Sequence, residues 1–317
     1  MRQVHKDTVL MPLLLTLLSF GVLFIGAELL VRGGAALALR LGLSSLVIGL
    51  TVVAYGTSLP EFVVSLKASL DGQSGIAVGN AIGSNIFNIA VILGLSALVL
   101  PLEADRTLVR RDCLIMVVAT GVTVVTMWDG TISRTEGALL FLSSLAYSFQ
   151  AVRMARKNPA NSETGQSAQT KQATAIALIV TGLIVLVIGS RLLVDNATFI
   201  ARSWGISEAV IGLTIIAAGT SMPELATSLV AALRRQSDIS VGNVVGSNIF
   251  NLLFVIGAAA LIHPITVAGL SALDFIALFA FTILLPLLFW GDGRLTRLKG
   301  ASLLIGYVIY LTLLWPK

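Results

Sequence analysis

Two glutamates stand inside strongly apolar stretches of this chain, Glu61 in IGLTVVAYGTSLPE (48–61) and Glu224 in IGLTIIAAGTSMPE (211–224). Each follows the same companions: Thr57, Ser58 and Pro60 in the first stretch, Thr220, Ser221 and Pro223 in the second. On a helix, Ala54, Thr57, Ser58 and Glu61 share one face, and so do Ala217, Thr220, Ser221 and Glu224. Pro60 has no N–H to give Gly56 and its ring crowds that turn. The helix is therefore expected to kink just before the glutamate and to free carbonyls around Ala54 to Gly56. Carbonyl, hydroxyl and carboxylate are hard oxygen donors, the ligand set of Ca²⁺ rather than of a soft transition metal.

A second polar block follows each acid. IAVGNAIGSNIFNIAVILG (76–94) returns as ISVGNVVGSNIFNLLFVIG (239–257), at the same offset of 163 residues as the first block. Gly83, Ser84 and Asn88 are matched by Gly246, Ser247 and Asn251. Ser84 and Asn88 lie one helical turn apart and can point the same way, and the glycines let backbones approach. Asn80, Asn85, Asn243 and Asn248 add polar groups whose faces the sequence leaves unassigned. A lone Ser or Thr in an apolar helix usually bonds back to its own helix or across a packing interface. A buried Glu is different, because it costs roughly 2.5 kcal/mol or more to insert. Two of them at matching positions, with the same hydroxyl partners, point to one site shared between two halves.

The elements that hold these residues are membrane helices. The chain has 317 residues, 56% hydrophobic and 12% charged, with a mean hydropathy of +0.95; soluble domains carry about 25% charged residues. Apolar runs of spanning length fall near 10–31, 43–66, 75–99, 113–128, 135–152, 174–194, 206–232, 239–262, 271–290 and 301–315. Four are bordered by Trp128, Trp204, Trp290 and Trp315, as interfacial anchors would be. The expected fold is all-α integral membrane: ten transmembrane helices as two inverted five-helix repeats. The first repeat covers 1–153, a polar linker 154–173, and the second repeat 174–317, with motif helices near 43–66, 75–99, 206–232 and 239–262. An odd number of spans per half forces the second half to insert upside down.

Placing the N-terminus outside puts 14 of the 21 Lys+Arg in inside loops. The expected arrangement is a multi-pass cell-membrane protein with both termini outside and the 154–173 loop cytoplasmic. The basic excess of +5 thus reflects membrane orientation and not nucleic-acid binding, and no obligate protein partner is evident. The lone Cys113 excludes an internal disulfide, and His5 and His263 stand without the HExxH spacing of a zinc enzyme. Glu28 and Arg32 correspond to Arg191 and Asp195, so the charges swap sign; each i,i+4 pair is read as neutralising itself near a helix end.

GTSLPE with GNAIGSNIFN, repeated as GTSMPE with GNVVGSNIFN, resembles the α-repeats of the sodium/calcium exchanger family within the cation/Ca²⁺ antiporter superfamily, in its minimal prokaryotic form. The resemblance covers almost the whole chain and implies a transporter, not an enzyme, with Ca²⁺ and Na⁺ as substrates and no cofactor. It implies one Ca²⁺ site and up to three Na⁺ sites at mid-membrane. The ligands would be Ala54, Thr57, Ser58, Glu61, Gly83, Ser84 and Asn88 with Ala217, Thr220, Ser221, Glu224, Gly246, Ser247 and Asn251. It further implies that the first and sixth helices slide across this core. Asn at both 88 and 251, where some relatives have Asp, speaks against K⁺ co-transport. H⁺/Ca²⁺ or other cation/Ca²⁺ exchange through the same two glutamates stays open.

Overall fold

A computed structural model describes residues 2–157, 170–206, 215 and 217–314. The first half comprises α1 (Arg2–Leu41), α2 (Ser45–Thr57), α3 (Leu59–Leu70), α4 (Ser74–Val99), α5 (108–126) and α6 (Arg134–Lys157). The second comprises α7 (Gln172–Ser203), α8 (Ala217–Thr220), α9 (Met222–Leu233), α10 (Ser237–Ile262), α11 (Ala272–Leu288) and α12 (Arg297–Leu314). Taking α2 with α3 and α8 with α9 as broken spans, the chain forms ten transmembrane helices, five in each half. Residues 207–214 and 216 of the predicted span 206–232 lie outside the described residues. So do 158–169 of the predicted linker 154–173, and Trp315.

Most spans coincide with the apolar runs, but α1 and α7 do not stop where those runs stop. They continue to Leu41 and Ser203, past the predicted ends at 31 and 194. Charged residues end an apolar run without ending a helix, and the Ala- and Leu-rich stretch after Arg32 sustains helical backbone. Arg32 and Arg40 therefore ride on a helix and not in a loop. α1 and α7 pack along each other at small residues: a Cβ on Gly26 would meet the Leu186 N at 2.8 Å, and one on Gly182 the Leu30 N at 2.7 Å.

The motif helices α4 and α10 sit at the centre, with 67% and 83% of their apolar windows buried. That is why they are apolar on every side except along their polar residues. Trp128, Trp204 and Trp290 are 90%, 72% and 77% exposed at span ends, the position of interfacial anchors.

Four two-residue strands establish the inversion directly. β1 (Leu102–Glu103) pairs with β4 (Arg294–Leu295), and β2 (Thr131–Ile132) pairs with β3 (Ile265–Thr266). The offset of 163 makes β1 the equivalent of β3 and β2 the equivalent of β4. β1 and β2 flank one span, α5, and so lie on opposite faces of the membrane. β3 pairs with β2, and therefore lies on the face opposite its own equivalent.

Candidate cation site

The site begins with the two broken spans. Ser58, at φ −83° and ψ 7°, separates α2 from α3, and the two segments meet at 45°. Ser221 takes the same conformation, φ −87° and ψ 8°, before α9. The prolines occupy the first turn of α3 and α9, where a missing N–H costs least. Glu61 and Glu224 follow in that turn, where the positive end of a helix favours a carboxylate. The expected kink is present. One expected consequence is not: the carbonyl of Ala54 keeps its helical donor, Ser58 N, at 3.0 Å. Proline at 60 removes only the donor four residues after Gly56, so the Ala54 turn stays closed. Hydroxyls gather at that same carbonyl, Thr57 Oγ1 at 3.3 Å and Ser247 Oγ at 3.4 Å.

The serines do not serve the glutamates beside them in sequence. Ser58 donates to Glu224 Oε1 at 2.7 Å, and Ser221 donates to Glu61 Oε1 at 2.9 Å. Ser221 also lies 3.2 Å from Ser84 Oγ. Each repeat thus holds the acid of the other. Thr57 donates to Asn243 Oδ1 at 3.1 Å, and Thr220 to Asn80 Oδ1 at 3.4 Å. Asn80 and Asn243 in turn bind the backbone of the glutamates, reaching Glu61 O at 3.2 Å and Glu224 O at 3.4 Å, and the hydroxyls of Ser65 and Ser228 at 2.9 and 3.0 Å.

Asn85 and Asn248 clasp α4 to α10. Asn85 Nδ2 donates to Asn248 O at 3.1 Å, and Asn248 Nδ2 to Asn85 O at 3.3 Å. Their side-chain oxygens then accept from Asn251 Nδ2 at 3.1 Å and Asn88 Nδ2 at 3.0 Å. This fixes the amides of Asn88 and Asn251 with their NH₂ groups engaged and their Oδ1 atoms turned away. A widened π-type turn starts at each of these two asparagines, Asn88–Leu93 and Asn251–Val255; such turns recur at functional sites.

The outcome is a set of buried oxygens with no hydrogen-bond partner: Glu61 Oε2, Glu224 Oε2, Asn88 Oδ1 and Asn251 Oδ1. All four residues are fully buried. The other such atoms among the described residues are single hydroxyls. Leaving one buried acceptor unmet costs about 1–3 kcal/mol, and more for a charged one. Two carboxylate and two amide oxygens, related by the repeat, form an acceptor-only set suited to a hard cation.

The remaining sequence candidates divide by repeat. Gly246 lies against α2, where a Cβ would meet Leu50 O at 2.5 Å and Ala54 Cβ at 2.7 Å; a Cβ on Gly83 would meet nothing within 4 Å. Gly83 is exposed and Gly246 buried. Ala217 opens α8, and its side chain lies outside the described residues. Sequence reasoning singled out the four further asparagines but could not aim them. Their signal was the recurrence of an amide in both blocks, which costs too much in an apolar helix to be incidental.

The model of the sodium/calcium exchanger protein family matches residues 11–151 and 174–315. The inner membrane protein YrbG of Escherichia coli (strain K12) is 37% identical, the match covering 96% of this chain and 98% of that protein. The sodium/calcium exchanger MaX1 of Methanosarcina acetivorans is 31% identical over 94% of this chain and 97% of its own. Among solved structures, the sodium-calcium exchanger NCX_Mj soaked with zero Na⁺ and Ca²⁺ superimposes with a TM-score of 0.85 at 33% identity. That match covers 97% of this chain and 100% of that one.

Proposed function

The chain belongs to the sodium/calcium exchanger family, and from that premise we propose that it is a secondary active antiporter exchanging Ca²⁺ for Na⁺ through the site between its two repeats. The observation that carries this reading is the set of four orphaned oxygens on Glu61, Glu224, Asn88 and Asn251. Ser84, Ser247 and the carbonyl of Ala54 add neutral oxygens beside them. Thr57, Ser58, Thr220 and Ser221 hold the acids and asparagines in place. In the second repeat, Ala217 and Gly246 complete the ligand set that the resemblance implies, and Gly83 does so in the first.

Charge explains why such a site exchanges ions and does not leak them. Two ionised glutamates leave the empty site with two negative charges. One Ca²⁺ neutralises them, and three Na⁺ overshoot by a single positive charge. Either loaded state is easier to enclose at the bilayer centre than two bare carboxylates. An empty carrier that cannot readily change sides must return loaded. Asparagine at 88 and 251 supplies no third carboxylate, so K⁺ co-transport is not part of this reading.

The orientation proposed from the Lys+Arg count puts both termini outside and 154–173 in the cytoplasm. The deciding experiment is radiolabelled Ca²⁺ uptake into proteoliposomes loaded with Na⁺, Li⁺ or K⁺, or holding a proton gradient. Uptake driven by Na⁺ alone is the expected result. Uptake that follows the proton gradient and ignores Na⁺ would replace Na⁺ by H⁺ as the counter-ion.

A further inference from the structure

Glu28 on α1 accepts from two arginines, Arg32 one turn away and Arg234 at the end of α9, the latter through Nε at 2.9 Å. The repeat offset maps Glu28 onto Arg191, Arg32 onto Asp195 and Arg234 onto Asp71. An acid between two bases becomes a base between two acids, with every sign reversed. The i,i+4 spacing of Arg191 and Asp195 predicts a self-neutralising pair. They form no ion pair in this structure: among the described residues, no side-chain partner is seen for Arg191, Asp195 or Asp71, and all three are exposed.

The packing around the two trios differs in the same sense. α1 lies along α9, and Leu30 and Val31 share a buried cluster with Val230 and Ala231. α7 has no comparable packing on α3. There Leu59 and Val63, the equivalents of Met222 and Ala226, are 46% and 55% exposed. An inverted repeat can exchange the conformations of its halves, which closes one face of the membrane and opens the other.

We propose that the Glu28 trio latches the face bearing the 234–238 turn in the conformation seen, and that Arg191 with Asp71 and Asp195 forms the reciprocal latch, on the face bearing the 67–74 turn, after exchange. The reversal of sign has a physical reason. A faithful repeat of Glu28, Arg32 and Arg234 would place two arginines on each face, against the Lys/Arg asymmetry that orients membrane proteins. Reversing all three keeps the pairing and leaves two arginines on one face and one on the other. This inference concerns which face is closed and rests only on the two halves exchanging conformation, whichever cation is carried.

The test uses a Cys113→Ala, Val63→Cys background in oriented vesicles with Ca²⁺ on both sides, so that both conformations are sampled. A membrane-impermeant maleimide reports whether Val63 is covered. Glu28→Gln and Arg234→Gln should each slow labelling about five-fold by releasing the latch seen here. Asp71→Asn and Arg191→Gln should speed it by a similar factor. Two variants on each side guard against the failure of one to fold, and labelling is compared on monodisperse protein. Shifts of the same direction from both trios, or no shift from either, would overturn the latch. Absence of Ca²⁺ exchange by the unsubstituted protein in proteoliposomes, with the opposed labelling shifts intact in the variants, would count against the transport reading and leave the latch standing.

Discussion

The hydroxyl of Ser58 lies 2.7 Å from a carboxylate oxygen of Glu224, 166 positions away and in the other repeat, while Glu61, three residues from Ser58, is held by Ser221. The two acids are thus each set by the opposite half, and neither half owns a complete site. Disturbing one repeat therefore disturbs the acid of the other.

Glu61→Gln and Glu224→Gln should each insert and purify normally, because removing a charge from mid-membrane lowers the insertion cost. Each should lose Na⁺-driven Ca²⁺ flux. A carboxylate about 4 Å from a divalent ion contributes on the order of 8 kcal/mol gross at an effective dielectric near 20, opposed by the ion's hydration. Wild-type flux from either variant, measured in proteoliposomes, would sink the shared-site mechanism.

Ser58→Ala and Ser221→Ala should weaken Ca²⁺ binding by similar amounts, since they remove equivalent bonds to equivalent acids. A hydrogen bond to a charged group is worth about 1.5–3 kcal/mol, or roughly ten- to a hundred-fold in affinity. Calorimetric titration of the purified protein with Ca²⁺ checks this. A large effect from one serine and none from the other would contradict the crossed arrangement.

Asn85 accepts from Asn251 Nδ2 at 3.1 Å, which aims the orphaned Oδ1 of Asn251 at the proposed site, and it also donates to the backbone of Asn248. Asn251→Ala removes the proposed ligand oxygen and Asn85→Ala removes what aims it. The double variant should therefore bind Ca²⁺ about as weakly as Asn251→Ala alone, as expected for residues acting in series. Additive losses in the same titration would mean that Asn85 acts by another route.

The two repeat-related glycines should respond differently to alanine. Gly246→Ala puts a methyl group 2.5 Å from Leu50 O, an overpacking worth about 1–3 kcal/mol. Gly83→Ala meets nothing within 4 Å and should leave thermal stability unchanged. Melting followed by size exclusion in detergent separates them, and equal losses would show that the asymmetry is not kept in solution.

Gln73→Cys and Gln172→Cys, both exposed and each in a Cys113→Ala background, should label from opposite sides of the membrane, with Gln73 outside. Labelling of both from one side would contradict the orientation drawn from the charge count.

The sequence by itself determined the ten spans, the two halves, their inversion and the acids at the centre. Each of these rests on a one-dimensional property: the length of apolar runs, an odd number of spans, or a polar block recurring at a fixed offset. It also located the break before Glu61, because proline's missing N–H is local. Only the tertiary structure decided which residue serves which. Ser58 and Glu61 share a face by helical periodicity, yet they do not serve each other: each bonds to the other repeat, Ser58 to Glu224 and Glu61 to Ser221. Asn85 and Asn248 read as two more amides until α4 and α10 were brought together and each clasped the other's backbone. Glu28 pairs with Arg32 by spacing alone, but its bond to Arg234, 206 residues away, needs α1 to lie along α9. Periodicity fixes which side of a helix a residue is on, whereas the choice of neighbour depends on how separate helices pack.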